Sequence, residues 1–188
     1  MLDMRPYTLH VLRYGFVVPL LGLLLSCEVP TEAYDNPLDE EVAQEKGIDT
    51  PALVFFPDKF EGLTAGNSVS VQLFALEVPD VAGAYIQLTY DKSKISIGNV
   101  NAGDFFGSAP IFIYEDDSEN GLLNIYTSFL GSDSSSTVSG TGNLATLVLG
   151  TITAGQSTLN YTVETQIVDA QDNPVVLNGL GEGVIDVQ

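Results

Sequence analysis

An all-β sandwich is the fold class that residues 51–188 predict, and three observations carry it. Beyond Pro51 the chain runs in short stretches rich in Val, Ile, Leu, Phe, Tyr and Thr, punctuated by Gly, Asn, Asp and Pro. No window of eleven residues there holds a helical apolar stripe free of a breaker. The segment Ala84-Tyr85-Ile86-Gln87-Leu88-Thr89-Tyr90 alternates strictly, so Ala84, Ile86, Leu88 and Tyr90 turn to a core and Tyr85, Gln87 and Thr89 turn out.

Taken in order, the chain opens on a leader. Arg5, His10 and Arg13 outweigh Asp3, and an apolar run from Gly15 to Ser26 follows. A membrane-spanning helix needs roughly 20 apolar residues, and this run is shorter and broken by Pro19 and Gly22. Residues 1–26 therefore read as a secretory signal peptide. Leu24-Leu25-Ser26-Cys27 resembles the lipobox of bacterial lipoproteins, which implies lipidation of Cys27 as the new N-terminus and attachment to a membrane. Glu28 follows it rather than the Asp that often retains such proteins in an inner membrane, which points to the outer membrane or cell surface. Residues 27–50 carry Glu28, Glu32, Asp35, Asp39, Glu40, Glu41, Glu45 and Asp49 against Lys46 alone. Self-repulsion and sparse aliphatics make this an extended acidic linker, with apolar positions too few to dock a short helix over Leu38–Lys46.

Strands are predicted at 52–57, 68–77, 84–90, 94–99, 111–115, 122–130, 144–152, 157–167 and 182–187, with a weak one at 175–177. In the eighth, Leu159, Tyr161 and Val163 alternate with Thr158, Asn160, Thr162 and Glu164. Turns are marked by Pro79-Asp80, Asp91-Lys92-Ser93, Glu119-Asn120-Gly121 and Asp172-Asn173-Pro174. The Ser-, Thr- and Gly-rich patch from Gly131 to Gly142 reads as a surface loop. About nine strands in this length describe one antiparallel sandwich.

Composition narrows the chemistry. His10, Cys27, Arg5 and Arg13 are the only residues of their types, all within the first 27 positions, and tryptophan is absent. With the leader removed, no Ser-His-Asp triad, Cys-His pair or His/Cys metal site can be assembled, and no enzyme is expected. A formal net charge of −19 repels phosphate backbones, which argues against nucleic acid. Asp116, Asp117 and Glu119 are close in sequence, but beside Gly121 they read as a solvated hairpin turn rather than a carboxylate pair for glycoside cleavage. The same oxygens would suit at most a weak Ca²⁺ site, since EF-hand spacing is missing, so no cofactor is expected.

The run from Val78 to Asp91 (Val-Pro-Asp-Val-Ala-Gly-Ala-Tyr-Ile-Gln-Leu-Thr-Tyr-Asp) resembles the second and third strands of cohesin domains. Gly103-Asp104-Phe105-Phe106, Asn120-Gly121, the stretch Gly142 to Leu147, the stretch Val168 to Pro174 and the closing Gly183 to Val187 keep the family's order. The resemblance covers nearly all of 51–188. It implies a nine-stranded jelly roll without catalytic role that holds a calcium-loaded dockerin, often in assemblies that degrade polysaccharides. Mapped through the resemblance, the partner-binding sheet would present Tyr85, Gln87, Thr89, Tyr114, Asn124, Tyr126 and Thr162. Tyr85 departs from the pattern, since the best-known members place an acid near it. Kinship with cellulose-binding modules leaves carbohydrate binding open, with tyrosines as the available rings, and a structural envelope lipoprotein is a further alternative.

Overall fold

A computed structural model describes residues 40–188 apart from 108, 109, 130 and 132–136; the leader and Cys27 lie outside the described residues. The chain runs through helix α1 (Glu40–Glu45), then β1 (Ala52–Phe56), β2 (Lys59–Leu63), β3 (Ser68–Val81), β4 (Gly83–Thr89), β5 (Ile95–Ala102) and β6 (Ile111–Asp117). There follow β7 (Leu122–Ser128), β8 (Val138–Thr151), β9 (Gly155–Tyr161), β10 (Gln166–Val168), β11 (Pro174–Val175), β12 (Gly179–Leu180) and β13 (Gly183–Val187).

Two sheets face each other. One runs β12-β1-β3-β8-β5; the other runs β11-β10-β4-β9-β13-β2, with β7 paired to β4 and β6 to β7. Alternation puts one side of every long strand between the sheets, where Phe55, Leu73, Ile86, Leu88, Leu123, Ile125, Leu147, Leu149 and Ile185 are fully buried. Each such side chain contributes about 1.5–3 kcal/mol on leaving water, and that burial fixes the register. Phe55 stacks on Tyr161 at 4.8 Å across the sheets. The Tyr161 hydroxyl donates to the Val54 carbonyl, and burial holds its pKa well above the usual phenol range.

All nine expected strands exist, and the departures have local causes. β2 and β12 escape the pattern because each is a short piece made where the chain crosses between sheets. β1 runs parallel to β12 and β2 parallel to β13, so the sandwich is antiparallel except at these two crossings. The expected strand at 157–167 is two, β9 and β10, broken by a turn in which the Thr165 N–H donates to the Thr162 carbonyl. Val163, expected inside, is 97% exposed on that turn. The Pro79-Asp80 turn is instead strand: β3 continues to Val81 through irregular register against β8. Glu77 and Asp80 have positive φ there, and their N–H groups donate to Thr141 and Ser139 hydroxyls. Those partners come from the supposed surface loop, which is therefore strand from Val138 onward; its residues 132–136 lie outside the described residues.

The acidic segment also departs from expectation. α1 docks, because Ala43 and Ile48 pack on Ala52, Val54, Phe74 and Leu76 on the outer side of the β1–β3 pair. Gly47, at φ 73°, ends the helix as a left-handed cap. Lys46 pairs with Asp58 at 2.9 Å, and Asn178 Nδ2 donates to the Thr50 carbonyl at 2.7 Å. Gly179 is required where this segment crosses it, since a Cβ there would stand 2.7 Å from Ile48 Cγ2 and 2.8 Å from the Asp49 carbonyl oxygen.

Candidate functional site

The outer face of β4 and β7 gathers most of the expected binding residues. Their antiparallel register sets Tyr85 opposite Tyr126 and Gln87 opposite Asn124, while Ile86 and Ile125, and Leu88 and Leu123, pair on the buried side. The two tyrosine rings stack at 4.8 Å with 16° between planes. Such a cross-strand pair contributes about 0.5–1.5 kcal/mol beyond its area. Burial, then the neighbouring Tyr126, raises the Tyr85 pKa, so the phenol stays protonated as a donor.

A closed set of hydrogen bonds lies beside the rings. The Tyr85 hydroxyl donates to Asn124 Oδ1 at 2.9 Å, and Gln87 Nε2 donates to both the Tyr85 hydroxyl and Asn124 Oδ1. Thr162 Oγ1 donates to Gln87 Oε1 at 2.8 Å. The Gln87 backbone is equally occupied: its N–H donates to Thr165 Oγ1, and its carbonyl accepts from the Thr162 N–H and the Thr165 hydroxyl. The β9–β10 turn thus takes the place of a strand against β4 at Gln87. Thr165 was not foreseen, and only its spacing from Thr162 within a turn could have pointed to it. Thr89 is half-buried on the same face, with its hydroxyl directed to the Asn160 carbonyl, outside this set.

Tyr114 does not join them. On β6 it pairs with Ile125, a buried position, so it falls on the opposite side of the sheet from Tyr126. One-residue alternation decides this: Ile113 is the partner of Tyr126 and Ile111 the partner of Ser128. Ile113 is 60% exposed and Ile111 45%, so this edge strand supplies aliphatic surface where a tyrosine was expected. The face therefore has a polar, internally bonded centre and an apolar border made by Ile111, Ile113 and Tyr126. A shallow depression of about 450 Å³ lies along that border, lined among others by Tyr85, Ile111, Tyr126, Gln166, Val168 and Asp172.

The carboxylates considered for calcium do not converge. Asp116 accepts the hydroxyl of buried Tyr90 at 2.6 Å, on the inner side of β6. Asp117 lies on the outer side opposite Leu122 and accepts from Asn120 Nδ2 at 2.8 Å, a bond that lowers its pKa. Glu119 meets the Lys92 ammonium through its carbonyl oxygen. Among the described residues no three His, Cys, Asp or Glu side chains group as a metal site. No described helix is long and apolar enough to cross a membrane.

Comparison with known proteins gives a consistent result. The family model described as Cohesin domain matches residues 54–179. Among solved structures, the third cohesin of ScaC from Acetivibrio cellulolyticus, in complex with the ScaB dockerin, superposes with a TM-score of 0.63 at 17% identity. It covers 72% of this chain and 97% of that one. The cohesin of a Coh-OlpA–Doc918 complex from Clostridium thermocellum gives 0.59 at 16% identity, covering 73% and 98%. A non-cellulosomal cohesin from the archaeon Archaeoglobus fulgidus gives 0.56 at 15% identity, covering 73% and 91%. At these identities the superpositions speak to fold. Curated proteins give no match.

Proposed function

The chain belongs to the cohesin family of non-catalytic protein-interaction modules, and on that premise we propose that it captures a dockerin-type partner through the outer face of β4, β7 and β6. The observation that carries the reading is the Tyr85–Tyr126 stack, standing on the outer sheet face beside exposed Ile111 and Ile113. Large rings with polar tips are favoured at protein interfaces, and an apolar sheet face of this kind is costly to leave in water. Two of the superposed structures are complexes with dockerins, which supports a partner of that class.

The proposal extends to display. Cys27 after Leu24-Leu25-Ser26 would anchor the chain by lipid at the outer membrane or cell surface, and the acidic stretch before α1 would give it reach. In that setting the partner belongs to the machinery of polysaccharide degradation. Carbohydrate binding is less well supported, because stacking turns one face of each tyrosine into the other and leaves no coplanar platform for a sugar.

Capture of recombinant calcium-loaded dockerins by the immobilised full chain tests the function. Tyr85→Ala with Tyr126→Ala is expected to abolish capture while circular dichroism stays unchanged. Full affinity in that folded variant would contradict the proposed face. Mass spectrometry of the native membrane fraction tests the anchor: a diacylglyceryl adduct on Cys27 is expected, and an unmodified mature N-terminus would contradict it.

A further inference from the structure

The chemistry of the partner surface can be read from what the open face holds and lacks, if the capture reading above is right. Its polar centre has little left to offer. Gln87 has both side-chain functions occupied, Asn124 Oδ1 accepts two hydrogen bonds, and the Tyr85 hydroxyl both donates and accepts. Apart from the Asn124 amide N–H groups, a partner that engaged these side chains by hydrogen bonds would first have to break the bonds among them. The apolar border is different: Ile113, Ile111 and Tyr126 are exposed, and a shallow depression lies beside them.

Charge around this border has one sign. Glu115 lies on the outer side of β6 opposite Asn124. Glu164 sits close enough that its charge acts on the Tyr85 phenol, and Asp172 lines the depression itself. Among the described residues no lysine is paired with them. The lysines of the described residues are engaged elsewhere: Lys46 with Asp58, Lys59 with Glu61, Lys92 with the Glu119 carbonyl and Lys94 with the Ala154 carbonyl.

We infer that the partner presents aliphatic side chains to the Ile111–Ile113–Tyr126 border, flanked by Lys or Arg residues that meet Glu115, Glu164 and Asp172. Affinity then resides in the apolar seat, and the acidic rim sets the association rate and selects against acidic partners.

The test uses a panel of recombinant calcium-loaded dockerins as probes. Binding to the full chain is followed by interferometry at 50 and 500 mM NaCl. Rim charges act mainly on association and are screened within about 4–14 Å over such a range of salt. The tightest dockerin is expected to carry Lys or Arg beside its aliphatic contact residues and to associate about tenfold more slowly at high salt. Neutralising the rim with Glu115→Gln, Glu164→Gln and Asp172→Asn should remove most of that salt dependence, with dissociation changed less than about twofold. Ile113→Asp should speed dissociation more than about tenfold. If the neutralised variant keeps wild-type association and salt dependence while Ile113→Asp still weakens binding, the charge inference fails and the capture face stands. If Ile113→Asp and Tyr126→Ala both leave binding intact, the face itself is wrong. Failure of every dockerin to bind would overturn both.

Discussion

The two sheets treat their outer faces in opposite ways. On the five-stranded sheet, Val54, Phe74 and Leu76 point away from the main core, and the chain covers them itself with Ala43 and Ile48 of the α1 segment. On the eight-stranded sheet, Ile111, Ile113 and Tyr126 are similarly apolar, yet no segment of the described chain lies over them. A short helix was enough to cover the first patch. Leaving the second bare, with a stacked tyrosine pair and an uncompensated acidic rim, is what a face kept for another molecule would show. The difference separates apolar surface that serves folding from apolar surface that serves capture.

Substitutions on each face should break the symmetry in a fixed order. The largest effect belongs to neither face but to the core beneath both: Ile86→Ala is expected to cost about 2–5 kcal/mol in chemical denaturation, since Ile86 is fully buried between the sheets. Next come the bare-face tyrosines. Truncating a central interface ring commonly costs about 2 kcal/mol of binding or more, roughly thirtyfold in affinity, while an exposed strand tyrosine contributes far less to stability. Tyr126→Ala should therefore lose capture while lowering stability by only about 0.5–1.5 kcal/mol, the worth of its stack on Tyr85. The covered face should do the reverse. Ala43→Asp places a charge in the buried seat of α1 and should lower stability by about 1–3 kcal/mol, with dockerin affinity unchanged within about twofold. A variant at Ala43 that lost capture while folded would remove the distinction between the faces.

How much of this was legible from sequence follows the same divide. Strands with one face in the core announced themselves, because alternation is a period the chain cannot hide: Ala84 to Tyr90 behaves residue by residue as its pattern requires. What depended on pairing did not. Tyr114 and Ile113 are adjacent in a run, Ile111-Phe112-Ile113-Tyr114, that is apolar at every position, so no alternation told which would share a face with Tyr126. The docking of α1 was missed for a related reason. Ala43 and Ile48 are few for a helix, but the outer surface of β1 and β3 is itself apolar, and that surface exists only once the sheet has formed. Pro79-Asp80 looked like a turn because nothing local shows that Thr141 and Ser139 stand ready to accept the displaced N–H groups. Cohesin kinship was legible because it rests on the order of many weak strand signatures rather than on any single residue.

The smallest expected effect concerns the turn that borders the bare face. Asp169 accepts hydrogen bonds from the Asn173 side chain and backbone and from the Gln171 N–H, and these hold its pKa below the usual carboxylate value. A depressed folded pKa means that its contribution is present above the ordinary carboxylate range and lost as pH falls through the folded value. The protection factors of the Gln171 and Asn173 amides, corrected for the pH dependence of intrinsic exchange, should fall on acidification. Asp169→Asn should remove that pH dependence without altering capture at neutral pH.

Hydrogen exchange across the whole chain, with and without a bound calcium-loaded dockerin, tests the central claim most directly. If the bare sheet face is the capture surface, protection will rise in Gly83–Thr89, Ile111–Asp117 and Leu122–Ser128 and in the Thr162–Thr165 turn, while Ala52–Phe56 and the α1 segment remain as they were. Protection gained instead along Ser68–Val81 and Val138–Thr151, with Tyr85 and Tyr126 unaffected, would contradict it.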